Sequence, residues 1–144
     1  MKARKCIEEG HKHRLRVIGR PGFKGKVKEI LSLVRKAGYY DFLRTYIRRI
    51  SEIEGVGQLR EAEATIWLNN YILGNPIEGA RFIVQKAHQM KAYIEGEQHY
   101  LKGEPPAIKE SIVFLKKLRD KLTDEKMKAL CEESIKQWTE EWVM

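Results

Sequence analysis

The stretch Tyr39–Ile53, YYDFLRTYIRRISEI, decides how the chain is read. At 100° per residue, Tyr39, Phe42, Leu43, Tyr46, Ile47, Ile50 and Ile53 fall on one apolar face of a helix. Arg44 and Arg48 fall one turn apart on the opposite face, with Arg49 at its flank. Such a helix buries one side in a helical core and shows cations to a partner on the other. Asp41 stands three before Arg44 and Glu52 four after Arg48, so local ion pairs compete with that use.

Working outward, Val27, Ile30, Leu31, Val34 and Ala37 keep helical spacing, and Gly38 terminates them. On the other side Gly55-Val-Gly57 ends the central helix. A third helix is expected from about Leu59 to Leu73, burying Leu59, Ala62, Ile66, Trp67 and either Tyr71 or Leu73. Gly74-Asn-Pro76 stops it, and the proline suits the first turn of a fourth helix, Ile77–Ile94. Glu95 to Pro106 reads as a polar loop. Pro106 opens a fifth helix with the stripe Ile108, Ile112, Leu115, Leu118 and Leu122. Thr123 caps a last one carrying Met127, Leu130, Cys131, Ile135, Trp138 and Trp142. No run of β-branched residues alternates with period two. The expected fold is an all-α, single-domain bundle of five or six helices over residues 27–144, preceded by a basic arm over residues 1–26.

Composition narrows the function. In 144 residues, 28 Lys and Arg stand against 20 Asp and Glu. The excess is placed unevenly: residues 1–50 hold 15 cations and 4 acids, for +11, and residues 51–144 hold 13 and 16, for −3. A basic end of this kind points to a polyanion. No apolar run reaches the roughly 18–20 residues that span a bilayer, and the charged N-terminus lacks the apolar stretch of a secretory signal. A cytoplasmic protein is expected. Cys6 and Cys131 are read as reduced thiols, and no Cys/His spacing fits zinc. Three Asn against so many charged residues resembles the composition of a heat-adapted protein.

Within the arm, Gly19-Arg-Pro-Gly-Phe-Lys-Gly-Lys26 combines three glycines with a proline and reads as a loop. It is not a P-loop, since Val27 follows Gly25-Lys26. Arg14, Arg16, Arg20, Lys24, Lys26 and Lys28 are spaced for an extended chain to follow a phosphate backbone, and Phe23 is placed to stack on a base. Arg44, Arg48 and Arg49 extend that patch.

Three further groups carry candidate chemistry. Arg81 to His88 fits the R-x4–6-H spacing of HEPN-type ribonucleases, helical proteins whose Arg and His cut RNA without metal; Arg4 to His11 fits it equally, and Phe82 replaces the polar residue usual after the Arg. Glu8, Glu9 and His11, and Glu95, Glu97 and His99, bring carboxylates near histidines, but without the Glu-x-x-His of di-iron bundles. Neither metal nor cofactor is expected. Trp138 and Trp142, four apart, either close the core or form a docking patch for a protein.

One family is similar. The run from Ile30 to Leu43, ILSLVRKAGYYDFL, resembles a segment of the helical small subunit of type III CRISPR RNA-guided effector complexes. Ile66-Trp67-Leu68 resembles its mid-chain helix, and Ser111 to Arg119 its late one. The family's proline before the glycine is absent, Tyr39 replaces the usual Leu, and the helix after Thr123 is additional. The resemblance implies a non-catalytic, antiviral-defence subunit that lines an RNA path beside other subunits or copies of itself. The leading expectation is therefore a non-enzymatic subunit binding RNA or another single strand by its phosphates. The alternatives are a module docking an acidic protein through Trp138 and Trp142, and a HEPN-like ribonuclease using Arg81 and His88.

Overall fold

The computed structural model describes residues 14–96 and 100–143, with side chains over 14–96 and 106–140. Among them are five α-helices and a four-stranded sheet. The chain is thus mostly helical but not all-α. Strand β1 (Arg16–Ile18) leads into helices α1 (Pro21–Lys36) and α2 (Tyr40–Tyr46). Strands β2 (Arg49–Glu52), β3 (Gln58–Arg60) and β4 (Thr65–Leu68) follow, then α3 (Pro76–Ile94), α4 (Tyr100–Lys121) and α5 (Glu125–Val143). The sheet order is β1-β2-β4-β3. β1 and β4 run parallel to β2, and β3 pairs antiparallel with β4 at the edge.

The decisive stretch is divided. Its first half is helical, burying Leu43 and half-burying Tyr39, Phe42 and Tyr46. At Ile47 the backbone turns extended (φ −116°, ψ 131°), and the chain enters β2. Two β-branched residues, Ile47 and Ile50, sit fully buried here and favour a strand as readily as a helix. Pairing decides between them. Arg48 N–H donates to the Ala64 carbonyl at 2.8 Å, and Ile50 lies opposite both Val17 and Ile66.

The expected helix Leu59–Leu73 is absent for a related reason. Ala64 adopts a left-handed conformation (φ 49°), which interrupts any helix there and reverses the chain into the β3–β4 hairpin. β4 is Thr-Ile-Trp-Leu, two β-branched residues and an aromatic, the side chains that suit a pleated surface. A short 3₁₀ turn, Ile72–Gly74, then leads to α3.

The arm is also built differently from expectation. Over its described part, residues 14–26, β1 is hydrogen-bonded to β2, and α1 begins at Pro21, six residues before Val27. Pro21 occupies the first turn, where its missing N–H costs nothing. Phe23 opens the same buried stripe as Val27, Ile30, Leu31 and Val34, and its 2% exposure outweighs the flexibility of Gly22 and Gly25. Gly38, at φ 84°, ends the helix as expected.

α3 is the central helix, packed against α1, α2, α4 and α5. Asn75 caps it, its Oδ1 accepting from the N–H groups of Ile77 and Glu78. Gly79 lets α1 come close, since a Cβ there would strike the Ile30 side chain. α4 begins at Tyr100, ahead of the expected Pro106, so its first turns occupy part of the expected loop. Asp124, one residue after the expected Thr123, caps α5: its Oδ1 accepts from Lys126 and Met127. No helix among the described residues is long and apolar enough to cross a membrane.

Candidate nucleic-acid interface

Parallel pairing of β1 with β2 places Arg16 opposite Arg49. The Arg16 N–H donates to the Arg48 carbonyl at 3.0 Å, which fixes the backbones of both strands at this end. Arg14 lies two residues before Arg16, on the same side of an extended chain. The result is a pocket of about 260 Å³ lined by Arg14, Arg16, Arg48 and Arg49. Arg14 and Arg16 are exposed and Arg48 and Arg49 half-buried. Among the described residues no carboxylate lines the pocket, and none makes an ion pair with these four. Four like charges at one strand end repel one another, mildly in water and more where water is displaced. An anion of several charges relieves that repulsion.

The other expected contact residues go elsewhere. Arg20 is taken by Glu52: its Nη2 lies 2.8 Å from Oε2, and its backbone N–H donates to Oε1 at 3.0 Å. Asn70 Nδ2 donates to the same carboxylate at 2.9 Å. The Arg20 hydrogen bonds, side chain first, hold the Glu52 pKa down to about 2. Glu52 therefore ties the turn after β1 to the end of β2, instead of pairing with Arg48. Lys24, Lys26 and Lys28 are exposed but ride on α1, so they make no extended stripe. Buried Phe23 has no face left for a base. Arg44 Nε donates to Asp41 at 2.8 Å, the local pair its spacing suggests. Tyr39 packs edge-on against Phe114, with ring centroids 5.1 Å apart.

Arg81 and His88 serve different surroundings. Arg81 is 3% exposed, and its Nε donates to Glu78 at 3.0 Å. Its Nη1 donates to Gln85 Oε1 at 2.6 Å and to Ser111 Oγ at 3.3 Å, and its guanidinium covers the Trp138 ring at 3.7 Å. His88 instead lies against Phe42, ring centroids 4.5 Å apart. Burial, and after it the charge of Lys91, pulls the His88 pKa down to about 4. A histidine that stays neutral there is packed as an apolar ring. Trp138 donates its indole N–H to Glu78 Oε1 at 2.9 Å, and Ser134 Oγ donates to the same oxygen. Trp142 lies in α5, but its side chain is outside the described residues, as are Cys6, Glu8, Glu9, His11, Glu97 and His99.

Glu78, Arg81, Gln85 and Trp138 also line a cleft of about 840 Å³, with Phe82, Lys86 and the loop Asn70–Asn75 around them. Sequence reading missed this network. Glu78 and Arg81 at i,i+3 are a legible pair, but their burial depends on α4 and α5 closing over α3. Cys131 is buried and free; its Sγ–H donates to the Leu115 carbonyl, and burial raises the thiol pKa to about 11. Among the described residues no three His, Cys, Asp or Glu come together as metal ligands. Comparison of the chain with protein-family models, curated proteins and solved structures finds no match.

Proposed function

We propose that this chain is a non-enzymatic, cytoplasmic nucleic-acid-binding protein that holds RNA or another single strand by its phosphates. One observation carries the proposal: Arg14 and Arg16 beside one strand, and Arg48 and Arg49 beside its parallel neighbour, converge on one pocket that among the described residues holds no carboxylate. Guanidinium forks match phosphate oxygens in pairs and are never deprotonated. The +11 charge of residues 1–50 supplies attraction at longer range. Membership of a larger ribonucleoprotein assembly, as the family resemblance implies, is an extension of this reading. Ile66–Leu68, matched there to a helix, is strand β4 here, and the proposed binding does not need that membership. An acidic protein docking on Trp138 suits the charge less well, because Arg81 already covers the ring and Glu78 holds its N–H.

The test is binding of a 3′-labelled single-stranded RNA, read by anisotropy across a salt series, with duplex DNA alongside. Neutralising four phosphate charges predicts log K falling with log salt at a slope of about −2.8, taking 0.7 per charge for single strands. Arg48→Gln/Arg49→Gln is expected to bring the slope to about −1.4, while Lys24→Gln/Lys28→Gln changes it little. Absence of binding at low salt would refute the proposal. RNA shortened during the experiment would refute the non-enzymatic part.

A further inference from the structure

We infer that the arginine pocket is an end-binding site, built for a terminal polyphosphate rather than for internal phosphodiesters of a strand. This deepens the nucleic-acid reading above and rests on it. The first argument is shape. A protein that tracks a backbone spreads its cations along a groove, whereas here four guanidiniums line one pocket of about 260 Å³. Internal phosphates follow one another at about 3.4 Å of axis per nucleotide in a stacked strand, each with its sugar and base. A run of four spans about 10 Å of axis, so its charges are spread out where these guanidiniums are gathered.

The second argument is charge. Four arginines carry +4, and each internal phosphodiester offers only −1. A 5′-triphosphate concentrates up to four negative charges within three linked phosphorus centres. Even a terminal monophosphate carries about −1.5 to −2 near neutral pH. The third argument is acceptor geometry. A diester presents two non-bridging oxygens, too few for four bidentate forks, while a terminal phosphate presents three, and a polyphosphate more.

The lining supplies the fourth argument by its chemistry. Among the described residues it is arginine only: no aromatic side chain there stacks a base, and no amide or hydroxyl side chain reads a base edge or a ribose. The site therefore recognises phosphate and is indifferent to sequence. It is also set before binding, because sheet pairing holds the backbones of Arg16, Arg48 and Arg49. The terminal polyphosphate of a strand and that of a free nucleotide share this chemistry, and the experiment separates them.

Three 3′-labelled ten-nucleotide RNAs of one sequence, carrying a 5′-hydroxyl, 5′-monophosphate or 5′-triphosphate, are titrated with the full chain at 150 mM salt. The expected order is triphosphate tightest, monophosphate next and hydroxyl weakest, with at least a tenfold gap between the extremes. Arg48→Gln/Arg49→Gln and, separately, Arg14→Gln/Arg16→Gln should each shrink that gap below threefold, with the circular-dichroism spectrum unchanged. Inorganic tripolyphosphate should displace the 5′-triphosphate RNA. ATP displacing it as strongly as tripolyphosphate assigns the site to any polyphosphate terminus, and weaker displacement by ATP assigns it to polynucleotide ends. Equal affinity for the three RNAs, still falling with salt, would overturn end recognition and leave nucleic-acid binding standing. A gap that survives in both variants would place the end site elsewhere and overturn the assignment. Failure of all three to bind at low salt would remove both readings.

Discussion

Replacing Glu78 by Ala removes the acceptor on which three side chains converge. Arg81 and Trp138 donate to its two oxygens at 3.0 and 2.9 Å, and Ser134 adds a third bond from α5. The decisive term is charge. Arg81 is 3% exposed, and it would lose its contact with the Glu78 carboxylate while staying buried. Breaking one side of a buried pair costs about 3–5 kcal/mol, far more than the pair is worth against an apolar replacement of both members. The Glu78 side chain keeps 27% exposure, so water partly reaches the site, and the lower end, about 3 kcal/mol, is expected. At roughly 2–4 °C per kcal/mol this lowers the melting temperature by about 6–12 °C. The assay is urea unfolding of Glu78→Ala, Arg81→Met and the double variant. The double variant should cost less than the two single changes added together, because either change alone already breaks the pair. A Glu78→Ala loss under 1 kcal/mol, or strictly additive costs, would refute the view that Glu78, paired with Arg81 on α3, anchors α5.

Other outcomes follow from the same structure. His88 has a folded pKa near 4, below its ordinary 6.5, so the unfolded chain takes the proton first. Stability carried by this residue is complete above pH 6.5 and falls as pH drops toward 4; His88→Leu should flatten that part of a urea-midpoint profile. Glu52, held near 2 by Arg20, stabilises the fold above its ordinary pKa of about 4.5, and this is lost as pH falls toward 2. Arg20→Gln should move the Glu52 carboxyl back up, read by its carbon-13 shift against pH. Cys131 should resist iodoacetamide at pH 8 in a Cys6→Ala background and react once urea unfolds the chain, because burial raises its pKa to about 11. Gly79→Val forces a branched side chain against Ile30 between α1 and α3 and should cost about 1–3 kcal/mol in urea unfolding.

What the sequence by itself determined is the body of α1, α3, α4 and α5. The stripe of Ala80, Ile83, Val84, Ala87, Met90 and Ile94 predicts α3 to within a residue at its start, because helical hydrogen bonds are local and a periodic apolar face records them. The stripes from Val27 and from Ile108 likewise mark the bodies of α1 and α4, though both helices start six residues earlier than expected. It also determined that cations crowd the first third of the chain. Only the tertiary structure decided the sheet. β1 and β3 are three residues long and β2 and β4 four, too short for a period of two to show, and each is specified by partners far along the chain. Arg49 finds Arg16 33 positions back and Thr65 16 positions on, and neither separation leaves a mark in a local window. For the same reason Arg48, read as the outer face of a helix, became part of a pocket, and Arg20, read as a free phosphate contact, became the partner of Glu52. Residue types set which chemistry was available; strand pairing chose which four arginines meet.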